Sequence, residues 1–176
     1  MTSTWLVLIM PRVLIVAYGN PLRSDDGIAW RAADAIEGKF PESEVEILRL
    51  HQLAPEVADT IQNRELVLFV DAACVDSAKD SRAGEISVRE VSGNETGEHQ
   101  PGHFTHAYSP AKVLDLGREL YGATPKACVI TVDGENFEHG ECLSAPVANA
   151  LPNLIVRVEQ MVEDALSKPR TTKITK

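Results

Sequence analysis

The chain has 176 residues, 44% hydrophobic and 24% charged, the length and composition of one ordinary globular domain. Folding at that size buries roughly 70% of the unfolded chain's surface, so a core forms without disulfide staples. A formal charge of −9, from 17 Lys plus Arg against 26 Asp plus Glu, argues against nucleic acid and anionic membranes as partners, because both are bound by clustered cations.

In chain order, residues 4–10 (TWLVLIM) are apolar but lack a basic flank and a small-residue cleavage site. They also fall far short of the ~20 residues of a membrane span, so neither a signal peptide nor a span is expected. Residues 1–10 read as an N-terminal extension. The first strand is expected at 12–18 (RVLIVAY), almost continuously apolar, as suits a strand covered on both faces. A helix comes next, with Ile28, Ala32, Ala35 and Ile36 on one face. The second strand, 44–50 (EVEILRL), alternates apolar and polar residues, as a strand near a sheet edge does. A short helix at 55–63 precedes the third strand, 66–70 (LVLFV), which is apolar throughout and ends on Asp71.

The fourth strand, 85–91 (EISVREV), alternates again. No helical period separates it from the third, which leaves an antiparallel course open to it. Residues 92–108 (SGNETGEHQPGHFTHAY) form a loop unusually long for a compact domain, holding three of the five histidines. Ser109-Pro110 is an N-cap followed by proline at the first helical position. Val113, Leu114, Gly117, Leu120 and Tyr121 trace the apolar face of that helix. The fifth strand is expected at 126–132 (KACVITV) and a last helix at 144–166. Its inward face is Val147, Leu151, Leu154, Ile155, Val158, Val162 and Leu166, with a kink expected at Pro152. Residues 168–176 are a basic tail expected to fray. The alternation predicts a single α/β domain over 1–176, a three-layer αβα sandwich around a mostly parallel five-stranded twisted sheet. Cys74, Cys128 and Cys142 are odd in number and lack a CxxC spacing, which suits free thiols in a reducing, cytoplasmic setting.

Ligands of open α/β sheets bind at the carboxyl ends of the strands. The residues just past each strand are therefore the place to search. Past the first lies GNPLRSDDG, Gly19 to Gly27; past the second, His51; past the third, Asp71. Beyond the fourth is the loop with His99, His103 and His106, and beyond the fifth stand Asp133 and Glu135. A glycine turn between strand and helix resembles a dinucleotide-binding unit, but the full GxGxxG is absent and Asp25 and Asp26 would repel a pyrophosphate. Ser24 or Asp25 reads as a helix N-cap, and Asp26 as either a first-turn acid or a site residue. A carboxylate at the depth of Asp71 is expensive unless capped, hydrogen-bonded or metal-bound. Two carboxylates and the His106 imidazole would suit a divalent ion such as nickel or zinc. There is no GxSxG elbow and no HExxH. A thiol enzyme built on Cys74 and His106 stays open.

The residues resemble the hydrogenase maturation protease family over 12–166. The resemblance rests on GNPLRSDDG, on LVLFVDAA ending the third strand, on Thr105-His106 ahead of Ser109-Pro110, and on the segment from Leu143-Ser144 through Val147 into the last helix. It departs where many members have a further glycine, here Ala17 or Tyr18, and where they have glycine and proline after the fifth strand. The resemblance implies a phosphorylase/hydrolase-like αβα fold and a cytoplasmic, monomeric endopeptidase. Its partner would be a nickel–iron hydrogenase large-subunit precursor, trimmed at its C-terminus once nickel is inserted. It also implies that Asp26, Asp71 and His106 form the catalytic and metal-contacting set, that the nickel is the substrate's, and that no organic cofactor is used. A docking chaperone for hydrogenase assembly and a metal-dependent hydrolase of small substrates are the alternatives.

Overall fold

Five strands, β1 (Val13–Tyr18), β2 (Val45–Leu50), β3 (Leu66–Cys74), β4 (Ile86–Glu90) and β5 (Lys126–Gly134), form one sheet in the order β2-β1-β3-β5-β4. The structure, a computed structural model, describes residues 10–74, 82–93 and 108–170. The expectations for residues 1–9, for His99, His103 and His106, and for 171–176 fall outside the described residues. Strands β2, β1, β3 and β5 are mutually parallel and β4 pairs antiparallel with β5. Both alternating strands, β2 and β4, stand at the edges, where one face meets water.

Among the described residues four α-helices cover the sheet: α1 (Ile28–Ile36), α2 (Val57–Thr60), α3 (Pro110–Tyr121) and α4 (Ala145–Leu166). Strand periodicity sorts the core into two layers. Val13, Ile15, Ala17, Leu68, Val70, Ile130 and Val132 meet α1 and α4 on one face. Leu14, Val16, Tyr18, Val67, Phe69 and Val129 meet α2 and α3 on the other. The result is the three-layer αβα sandwich that the alternation predicts. Each fully buried Leu, Ile, Val or Phe in these layers contributes about 1.5–3 kcal/mol, which makes the two apolar layers the main source of stability.

Several local expectations are corrected. Strand β3 runs beyond Asp71 to Cys74 and β5 beyond Val132 to Gly134, because the two strands hold each other extended from Leu66↔Lys126 to Cys74↔Gly134. Asp71 and Asp133 thus lie within strands. In α1 the fully buried side chains are Ile28, Ala29, Ala32, Ala33 and Ile36, with Ala35 only half-buried, because α1 wedges between the sheet and α4. Helix α2 is one turn long, its neighbours forming turns. Leu120 and Tyr121 are exposed, since the buried face of α3 is Pro110, Ala111, Val113, Leu114 and Gly117, and Gly122 ends the helix at φ 65°. The start of α3 is as expected: the Ser109 hydroxyl accepts from the Lys112 amide at 3.3 Å. Helix α4 continues through Pro152.

The buried Arg12 locks the sheet to the far end of α4. Its guanidinium donates to Glu65 at 2.8 Å and to the carbonyls of Ala165 at 3.2 Å and Lys168 at 2.9 Å. The last turn of a helix has no internal donors for its carbonyls, and a cation there also meets the negative end of the helix dipole. Arg12→Ala leaves those acceptors and the Glu65 carboxylate without this donor. It is expected to lower stability by about 2–4 kcal/mol, seen as a lower urea midpoint at unchanged slope.

Candidate functional site

The β1–α1 loop is shaped by one glycine. Gly19 sits at φ +133°, and a Cβ on it would lie 2.2 Å from the main-chain oxygen of Asp26. Only glycine tolerates both the conformation and the contact. The loop folds back so that the Asn20 amide donates to Asp26 Oδ2 at 2.8 Å, while Asn20 Oδ1 accepts from the Leu22 amide at 3.0 Å. Residues Ser24–Gly27 form a 3-10 turn that runs directly into α1.

Asp25 and Asp26 diverge. Neither Ser24 nor Asp25 caps α1 as the sequence suggests; Gly27 occupies that position, with no side-chain cap. Asp25 is fully buried and its carboxylate accepts four hydrogen bonds from the segment between β5 and α4. The donors are the amides of Glu135 (3.0 Å), Asn136 (2.9 Å) and Ser144 (2.7 Å) and the Ser144 hydroxyl (2.9 Å). That role is not legible in the sequence, because its partners lie more than a hundred positions away. Asp26 is half-buried and turns back over the glycine.

Asp71 lies on the sheet face that also carries Tyr18 and Phe69. Only 4% of it is exposed. Its Oδ1 accepts from the Ala72 amide at 2.8 Å, and the Tyr18 hydroxyl donates to the same carboxylate. Burial first, and the nearby Asp26 charge second, push the Asp71 carboxyl well above the usual carboxylate range; the two hydrogen bonds oppose this in part. Tyr18 is likewise held well above the usual tyrosine range, by burial first and then by Asp71. Asp26 and Asp71 are thus close enough to act on each other. The Cys74 thiol nearby is raised by burial and then by Asp26 and Asp71, the opposite of what a thiolate nucleophile at neutral pH requires.

The other strand-end residues have neighbours of their own, and Asp133 acts on the Cys74 thiol in the same direction as Asp26 and Asp71. His51 packs its ring on Trp30, with centroids 5.4 Å apart. The side chain of Glu135 is exposed, and its amide serves Asp25. Asp133 stands in β5 opposite Ala73. Because β4 is antiparallel, the chain leaves it at the amino edge of the parallel strands, so the strand-end rule does not bring the histidine loop to the Asp71 edge. His99, His103 and His106 lie outside the described residues. Description resumes at Tyr108, which packs on the Tyr18 and Phe69 face. Among the described residues no three His, Cys, Asp or Glu side chains form a metal-holding group.

No family model and no curated protein matches the sequence. Solved structures do. The hydrogenase maturating endopeptidase HybD from E. coli matches with a TM-score of 0.67 at 23% identity, covering 88% of this chain and 93% of that one. The [NiFe] hydrogenase maturation protease HycI from Thermococcus kodakarensis KOD1 matches with a TM-score of 0.64 at 20% identity, over 86% and 92%. HybD from Thermococcus kodakarensis matches with a TM-score of 0.60 at 18% identity, over 86% and 99%. The fold belongs to a class of α/β proteins that includes peptidases. More narrowly, it is the fold of the hydrogenase maturation endopeptidases.

Two expectations arise from the site. Gly19→Ala forces the turn to open, and backbone strain of this kind costs about 1–3 kcal/mol; the urea midpoint falls and the Asn20 amide loses protection from exchange. For Asp71, the folded state holds its proton to a higher pH than the unfolded state, whose value is near 3.8. Between those two values the native state binds more protons, so stability falls as pH rises and the penalty is complete above the folded value. Asp71→Asn removes the penalty. The variant should melt above the parent at pH 7–8, with the gain vanishing as pH falls toward 4.

Proposed function

We propose that the protein is a hydrogenase maturation endopeptidase. In this reading it removes the C-terminal extension of a nickel–iron hydrogenase large-subunit precursor after nickel insertion and recognises the inserted nickel. One observation carries this reading: a buried Asp71, its carboxyl raised by burial and by Asp26 on a glycine turn, within a fold shared with hydrogenase maturation endopeptidases. Perturbed carboxylates gather where chemistry is done. A cytoplasmic site of action is part of this reading; separately, the described residues hold no helix long and apolar enough to cross a membrane.

The nickel is part of the substrate. Two carboxylates and an imidazole are a hard-to-borderline donor set that fits such an ion and leaves positions for the precursor's own ligands. Asp26, Asp71 and His106 would hold it. The placement of Tyr108, two residues beyond His106, on the Asp71 face supports His106 as the third member. When bound, the ion would supply charge that favours the ionised form of Asp71 and would anchor the precursor's C-terminal segment.

The chain's own residues then do the remaining work. Asp26, held by the Asn20 amide, presents a fixed oxygen at the turn. Asp71, whose affinity for a proton is raised by burial, takes a proton from the attacking water and returns it to the leaving amine. The Tyr18 hydroxyl keeps that carboxylate in one orientation through the transfer.

Purified protein mixed with nickel-loaded and nickel-free precursor tests this, with products weighed by mass spectrometry. A C-terminal peptide is expected from the loaded precursor alone. Asp71→Asn and His106→Ala should each slow its release by about 10²-fold or more. An intact loaded precursor after long incubation with the parent protein would refute the reading.

A further inference from the structure

The Asp25 carboxylate accepts four hydrogen bonds, yet it plays no part in the chemistry above. Its oxygens face away from Asp26 and Asp71, into the segment that links β5 to α4. Around it the two loops are sewn together. The Ser24 amide donates to the Gly140 carbonyl at 2.8 Å, the Asp25 amide to Asn136 at 3.0 Å, and the Gly140 amide to Leu22 at 2.9 Å. The Ser24 hydroxyl donates to the Glu138 carbonyl at 3.1 Å and Arg23 Nε to that of Phe137 at 3.1 Å. Gly134 has no room for a side chain, since a Cβ would stand 2.9 Å from Asp25 Cβ and 2.8 Å from Phe137 Cζ.

This clamp has a backbone consequence. Ser24 sits at φ 50°, a left-handed conformation unusual for a residue with a side chain. Such a residue persists only where its surroundings over-determine it. Ser24 itself bonds to the carbonyls of Gly140 and Glu138, and Asp25, next along the turn, ties the same segment at Glu135, Asn136 and Ser144 through its charged carboxylate; bonds to a charged acceptor are the strong ones. Asp26 comes immediately after in the same 3-10 turn, and the turn's orientation aims the Asp26 carboxylate back over Gly19 to the Asn20 amide.

From this geometry we infer that Asp25 is a positioning residue, whose buried carboxylate sets the turn and thereby the place of the Asp26 oxygens. It touches no reacting atom. The catalytic half of the inference rests on the endopeptidase reading; the positional half does not. A misplacement on the scale of an ångström at a catalytic group costs about 10²-fold in rate.

The test uses the full chain carrying Asp25→Asn, which keeps the shape but removes one acceptor oxygen. Ser144→Ala serves as the milder variant, removing a single donor to the same carboxylate. Amide exchange is followed by NMR, alongside melting and precursor cleavage. For Asp25→Asn, exchange at the Asn20 amide should rise about tenfold or more while the amides of Val67 to Phe69 stay protected. In the cleavage assay kcat should fall about 10- to 100-fold with KM within about twofold. Ser144→Ala should move both readouts the same way by less, and it decides the matter if Asp25→Asn does not fold. Unchanged Asn20 exchange in a folded variant would overturn the inference. So would a loss of protection spread evenly over the sheet, which marks Asp25 as a fold staple only. Should the parent itself release no peptide, the endopeptidase reading fails and Asn20 exchange alone decides whether Asp25 positions Asp26.

Discussion

A carboxylate in the middle layer of this sheet governs the site. Asp71 is carried on β3, flanked by β1 and β5, and the alternation of the strand turns its side chain to the face that holds Phe69. Little of it is open to water, so the protein must supply most of what water would. It supplies a main-chain amide from Ala72 and the hydroxyl of Tyr18. It also sets a second carboxylate, Asp26, nearby, which works against ionisation. The arrangement is poor for stability and well suited to proton transfer or to a divalent ion, the usual compromise at a functional site.

Two neighbouring acids in one turn meet opposite fates for the same reason. A buried carboxylate needs donors, and the β5–α4 segment offers Asp25 four of them. Asp26 has the Asn20 amide and stays half-open. The difference is geometric: consecutive side chains of a tight turn point apart, so one faces the β5–α4 segment and the other turns back to the Asn20 amide. Gly19 and Gly134 make this possible on either side of the turn, each leaving space that a side chain would fill.

Much of this was legible in the residue pattern. The continuous apolar runs of β1, β3 and β5 and the alternation in β2 and β4 report central and edge positions, because burial on two faces or one dictates them. Ser109-Pro110 marks the start of α3, since capping is local chemistry. GNPLRSDDG signals the turn, and the depth of Asp71 can be read from the apolar strand that carries it. What escapes the pattern depends on distant partners: the extra length of β3 and β5, the turn of α1 that buries Ala33 instead of Ala35, the exposure of Leu120 and Tyr121, and the whole role of Asp25.

The sequence by itself determined the element order, the αβα layering and the two-layer core, and it singled out Asp26 and Asp71 as candidates, because periodicity, turn chemistry and the cost of burying charge are properties of short stretches. Only the tertiary structure decided which of two adjacent aspartates faces the scaffold, that Tyr18 and Asp71 share a face and a hydrogen bond, and that β4 leaves the sheet at the opposite edge. Those outcomes turn on strand order and on donors brought from across the chain, and no local pattern encodes either.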